Sequence, residues 1–150
     1  MHSPQINADE RRFKYSELTE QIIGVFYEVY NELGFGFLEK VYEEAMAVAF
    51  KERGINFQRQ APIPVWFHGQ TIGPYDADLI VEGVVLVELK ACKALDPAHE
   101  AQLLHYLRST EIEVGLLLNF GPRPQVKRLA LKTKEKRSAF ICANLRRNSF

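Results

Sequence analysis

Two apolar runs, residues 75–82 (Tyr-Asp-Ala-Asp-Leu-Ile-Val-Glu) and 84–90 (Val-Val-Leu-Val-Glu-Leu-Lys), are separated by a single residue, Gly83. Strand-like runs that close together must turn back on each other and pair as a β-hairpin. The residues that follow narrow the fold further. Asp96 then Pro97 is a helix start, a carboxylate N-cap before a proline at the first helical position. That helix is expected to run to about Arg108. Val114 to Leu118 is nearly all apolar, so it reads as a strand buried on both faces. A helix between two strands is a crossover, and a crossover favours parallel pairing of those strands.

Upstream, the periodicity is helical. Ile22, Ile23, Phe26, Val29, Tyr30 and Leu33 recur at three- and four-residue steps from Glu17 onward, and Gly34 stands where a C-terminal cap belongs. Leu38, Val41, Tyr42, Ala45, Met46 and Ala49 make the stripe of a second helix, closed by Gly54. Ile63, Val65 and Phe67 alternate with their neighbours, and Pro62 and Pro64 assign that strand to a sheet edge. Val126 to Leu131 is a last strand. The fold class is therefore α/β, a mixed central β-sheet flanked by helices. Residues 1–15 read as a flexible lead, 16–131 as one domain and 132–150 as a basic extension.

The 150 residues suit one domain, at roughly 100–200 residues each. No apolar run approaches the ~18 residues of a membrane span, and the first ten residues hold no apolar signal core. Two cysteines, Cys92 and Cys142, cannot build a disulfide framework, which favours a reducing, cytoplasmic setting. These features exclude membrane, secreted, fibrous and disordered classes. The balance of 19 basic and 19 acidic residues hides an asymmetry. Residues 1–122 carry 10 basic and 18 acidic side chains, net −8, and residues 123–150 carry nine and one, net +8. An acidic body with a basic tail points to an anionic partner near the tail or a metal in the body. A solvated tail accounts for it equally well, as does pairing with the body within a subunit or across a homodimer.

The chemistry concentrates on Asp78, Glu88 and Lys90. Glu88 and Lys90 are two apart on one strand and share a face, while Val87 and Leu89 take the other. Asp78 can sit across from them on the partner strand. Two carboxylates beside an ammonium suit a hard divalent cation with oxygen ligands. The lysine can steady negative charge developing on a phosphate or an attacking water. Metal activation of water and phosphate stabilisation are what phosphodiester hydrolysis requires. A solvent-facing Glu–Lys pair is the plain alternative, and position argues against it: an apolar strand, a hairpin partner bearing Asp78, and a helix after it.

Here the chain resembles a known family. Asp78, the gap of about ten residues across a hairpin, and Glu88-Leu89-Lys90 are similar to the PD-(D/E)XK nuclease superfamily. Gly36-Phe-Leu-Glu39-Lys-Val-Tyr42 resembles the name motif of its small GxxExxY group. The stretch from His99 through Gln102 to Tyr106, and Gly115 to Gly121, are similar to that group as well. The resemblance implies a restriction-endonuclease-like core and a nuclease using Mg²⁺ or Mn²⁺ on nucleic acid, DNA before RNA. It implies Asp78 and Glu88 as metal ligands, with the Leu89 carbonyl a third and Glu39 an added carboxylate. Lys90 would position or polarise the water. Gln102 and Tyr106, spaced as in the RecB-like branch, would support substrate or metal. The proline usual before the first aspartate is replaced by Ala77.

Helical spacing bears on these roles. Glu39 and Tyr42 are three apart and should share a face; Gln102 and Tyr106 are four apart and should face together. Glu39 is also explained as a first-turn glutamate favoured by the helix dipole, and Gln102–Tyr106 as a polar pair bonded to the sheet. Asp76, two before Asp78, is expected on the same face as a rim carboxylate. His99 and His105 lack zinc spacing, Cys92 reads as a reduced structural residue and Trp66 as a packing residue. The competing function is a binding module that keeps the nuclease fold without turnover. The acidic body favours it, since phosphate binding wants a basic surface. A purely structural domain leaves the mutual repulsion of Asp78, Glu88 and Glu39 unexplained.

Overall fold

A computed structural model describes residues 15–132. The expected flexible lead before residue 15 and the basic extension beyond residue 132 lie outside the described residues.

Helix α1 spans Ser16–Leu33 and α2 spans Glu39–Glu52. Strands β1 (Phe57–Phe67), β2 (Gln70–Val81) and β3 (Val85–Lys90) follow, then α3 (Pro97–Arg108), β4 (Val114–Phe120) and β5 (Pro124–Ala130). Among the described residues one five-stranded sheet runs in the order β1-β2-β3-β4-β5. All neighbours are antiparallel except β3 and β4, which are parallel through the α3 crossover. The expected α/β architecture and the expected parallel pair are both present.

The sequence signals explain the boundaries. Gly34 takes φ +70° and returns its N–H to the Tyr30 carbonyl at 2.8 Å, ending α1. Asp96 accepts from the Ala98 N–H at 2.8 Å, and the His99 ring accepts from the Asp96 N–H at 3.2 Å. His99 is therefore a helix cap.

Helices α1 and α2 cover one face of the sheet. Ile22, Phe26, Tyr42, Met46 and Phe50 pack there on Leu79, Val87, Leu89, Leu116 and Phe120. Helix α3 covers the other face, where Leu103, Tyr106 and Leu107 meet Leu86 and Leu117. Because β3 and β4 are buried on both sides, they carry apolar runs without alternation.

The first two strands are longer than their apolar pattern suggests. β1 begins at Phe57 and β2 at Gln70, whereas Ile63 to Phe67 and Tyr75 to Glu82 were the legible segments. β3 pairs only with Leu79–Val81, so the rest of the β1–β2 hairpin runs past it as a two-stranded ribbon. Among the described residues the ribbon's tip has no covering layer, and Gln70 to Pro74 carry no apolar alternation to betray their part of it. Trp66, expected to pack, is 64% exposed there.

The ribbon also changes face. Leu79 and Val81 belong to the core under α1 and α2, but Ala61, Ile63 and Ala77 pack with α3. Residues 77 and 79 would share a face in a regular strand. The reversal falls at Asp78 and Gln60. Arg59 pairs with Leu79 and Ala61 with Ala77, and Gln60, between them, holds φ +49°.

Candidate active site

Asp78 and Glu88 stand where the regular ladder between β2 and β3 stops. The last backbone pair is Leu79 with Val87, so Asp78 and Glu88 are the next residues out on each strand. Their side chains take over the pairing. The Asp78 N–H donates to Glu88 Oε1 at 3.3 Å, and the Leu89 N–H donates to Asp78 Oδ2 at 2.8 Å. The reversal beside Asp78 also breaks the simple alternation that put Asp76 on its face. Asp76 is exposed and takes no part in these contacts.

The electrostatics are those of two acids crowded out of water. Glu88 is only 5% exposed, and burial first, then the charge of Asp78, pushes its pKa up to about 8. Burial likewise raises Asp78, opposed by the Leu89 N–H and reinforced by Glu39 and Glu43. Glu39 also raises Glu88, so the sequence-proposed third carboxylate acts on both members of the pair. Lys90 favours the charged form of Glu88.

Lys90 leads to the α3 side of the site. Its Nζ donates to Gln102 Oε1 at 3.2 Å, and Gln102 Nε2 donates to the Tyr106 hydroxyl at 3.0 Å. The i, i+4 spacing brings Gln102 and Tyr106 together as expected, and Gln102 fixes the lysine. Burial and the charges of Glu88 and Asp78 raise the Tyr106 pKa. The hydroxyl therefore stays protonated.

On the α2 side lies a cavity of about 400 Å³. Asp78, Leu89 and Glu39 line it, and so do four residues that sequence reasoning missed: Lys40, Glu43, Arg59 and Gln60. Glu43 is 5% exposed. Arg59 donates to its Oε2 through Nε at 3.1 Å and Nη2 at 2.7 Å, and Gln60 donates to its Oε1. Gln60 also hydrogen-bonds Asp78 and favours its charged form. Consecutive strand residues normally point to opposite faces. The left-handed Gln60 lets Arg59 and Gln60 reach the same carboxylate. A non-glycine in that region costs roughly 1–2 kcal/mol, and such strain gathers at functional sites.

The spacing of Glu39 and Glu43, four apart on α2, was a signal that could have found Glu43. Tyr42 took its place in the sequence argument, and it does not reach the cavity. It is fully buried, stacked on Phe120 with ring centres 4.1 Å apart. Its hydroxyl donates to the Gly34 carbonyl at 2.6 Å and accepts from the Phe37 N–H at 3.2 Å. Tyr42 thus pins the loop that carries the start of α2.

The donors suit a hard cation: carboxylates on Asp78, Glu88 and Glu39 and the carbonyl of Leu89. The buried pair of raised acids is the observation that fits one, because positive charge would relieve their repulsion. Among the described residues no three His, Cys, Asp or Glu side chains form a metal-holding group by themselves. His99 and His105 contribute nothing here, and Cys92 is a free thiol beside the Ala94 carbonyl.

The model of the PD-(D/E)XK nuclease superfamily matches residues 16–129. No curated protein matches the chain. An alkaline exonuclease from Laribacter hongkongensis is similar in structure at 14% identity and a TM-score of 0.45, over 69% of this chain. The chain spans 64% of that exonuclease. The protein SSO0001 is similar at 16% identity and a TM-score of 0.48, over 90% of this chain and 70% of its own.

Proposed function

The chain belongs to the PD-(D/E)XK nuclease superfamily, and from that premise we propose that it is a divalent-metal-dependent nuclease hydrolysing nucleic-acid phosphodiester bonds. One observation carries the reading: Asp78 and Glu88 continue the hairpin register with their side chains, beside Leu89 and Lys90. Asp78, Glu88, the Leu89 carbonyl and Glu39 would hold Mg²⁺ or Mn²⁺. When bound, such an ion supplies a more acidic water and a Lewis acid at the phosphate.

The protein's own groups do the rest. Lys90, tethered by Gln102, keeps its ammonium beside Glu88 and presents a donor to charge developing on the phosphate or water. Tyr106 holds Gln102, so α3 fixes the lysine from behind. Within the superfamily we assign the chain to the GxxExxY group, on Gly36, Glu39 and Tyr42, with DNA as substrate before RNA. The chain's two cysteines cannot build a disulfide framework, which supports a reducing, cytoplasmic setting.

The test is cleavage of labelled DNA and RNA with Mn²⁺, by the wild type and Lys90→Ala. The wild type should cut only with metal. Lys90→Ala should lose ~10²–10³ in rate, as when one electrophilic donor is removed, and keep its Mn²⁺ affinity by calorimetry. A folded wild type that binds nucleic acid but cuts none with Mn²⁺ would instead be a binding module.

A further inference from the structure

We propose that Arg59, held by the buried Glu43, is a phosphate-binding residue of this site, gripping the nucleic-acid backbone beside Asp78. The proposal rests on the nuclease reading for the identity of the ligand and deepens it. The acidic pair and Glu39 repel a phosphodiester, so a substrate approaching Asp78 needs positive charge on the cavity wall. Lys90 supplies it on the α3 side, bonded to Gln102. On the α2 side two cations line the cavity together with Asp78, Leu89 and Glu39: the exposed Lys40, and Arg59, which alone is anchored by Glu43.

The form of the contact matters as much as the charge. Glu43 Oε2 takes Nε and Nη2, one edge of the guanidinium. The Nη1–Nη2 end of the fork is then left for a second oxyanion, and that end has the spacing of two phosphate oxygens. The Glu43 side chain is 7% exposed and that of Arg59 37%, so the anchor is buried and the arm reaches solvent. Glu44 Oε1 stands 3.9 Å from the same Nη2, beyond hydrogen-bond distance.

Gln60 completes the arrangement. Its left-handed backbone turns both Arg59 and Gln60 toward Glu43, and its amide also touches Asp78. A single buried carboxylate thereby sets the position of the arginine and, through Gln60, of the aspartate. Arg59 is the ligand-touching group; Glu43 and Gln60 are positioning residues.

The experiment measures binding of a fluorescein-labelled DNA 20-mer, single- and double-stranded, by anisotropy across a salt series in EDTA, where no cleavage occurs. Arg59→Ala should weaken binding about tenfold and lower the salt slope by roughly 0.7–0.9, the loss of one phosphate contact. Arg59→Lys keeps the slope but binds several-fold more weakly, because an ammonium cannot serve two oxyanions through one planar fork. Arg59→Ala with wild-type affinity and slope overturns the proposal and leaves Arg59 as a structural partner of Glu43. If Arg59→Ala does not fold, Arg59→Lys decides: wild-type affinity overturns the proposal. A wild type that binds the DNA but never cuts it removes the nuclease reading and leaves the phosphate contact standing. Cleavage by the wild type with Arg59 variants unaltered in binding removes only the contact.

Discussion

Replacing Glu88 by glutamine should make the metal-free protein more stable at alkaline pH, although it removes a residue from the centre of the site. Folding lifts the Glu88 pKa from 4.5 to about 8. Between those values the folded protein holds a proton that the unfolded chain has released. The stability from this group is fully present below pH 4.5 and is lost as pH rises through 8. Each pKa unit corresponds to about 1.4 kcal/mol. Integrated from pH 5.5 to pH 8, the loss is about 3 kcal/mol. The side chain is 5% exposed, so solvent screens little of it. Against a total of ~5–15 kcal/mol that is a large fraction. Glutamine keeps an oxygen for the Asp78 N–H and cannot ionise. Urea unfolding in EDTA, followed by circular dichroism at several pH values, measures the difference. The wild type should weaken from pH 5.5 to pH 8 and Glu88→Gln should weaken much less. With saturating Mn²⁺ the wild type should recover and the variant should not. Parallel stability curves for the two proteins in EDTA would refute the reasoning.

Two further outcomes follow from the site and its supports. Asp78→Asn should lower Mn²⁺ affinity in calorimetry, because it removes a charged oxygen ligand while the amide oxygen can still accept from Leu89; unchanged affinity would locate the metal elsewhere. Tyr42→Phe should keep the ring stack on Phe120 but lose two hydrogen bonds to the loop before α2. Its cost should be roughly 1–3 kcal/mol in urea unfolding, and a variant as stable as the wild type would mean the loop is fixed by other contacts.

Much of this architecture was legible because local chemistry and long-range packing agree. Gly83 forces the hairpin, Asp96-Pro97 starts α3, and the apolar run of β4 marks a strand covered twice. Asp78 and Glu88 meet because they are the next residues out from the last pair of one hairpin, and Lys90 acts on Glu88 from two residues along the same strand. Gln102 and Tyr106 meet because the helical repeat brings residues four apart together. Arg59 and Gln60 were hidden by a single backbone angle. Alternation assigns neighbours to opposite faces, and nothing in Arg-Gln-Ala-Pro announces that Gln60 turns left-handed. Tyr42 misled for a different reason. Its helical position alone could not say that Phe120, far along the chain, would claim its ring.

The prolines of β1 have a consequence for what this molecule can bind. Among the described residues β1 is an edge strand, and its outer backbone would ordinarily offer a row of donors and acceptors to any extended chain. Pro62 and Pro64 each lack an N–H, and the register shift between Ile63 and Val65 bends the strand at the same place. Another strand cannot zip along such an edge. Recognition by strand addition is therefore closed to this arm. Whatever meets the ribbon must read its side chains, Trp66 and Phe67 among them, and not its backbone.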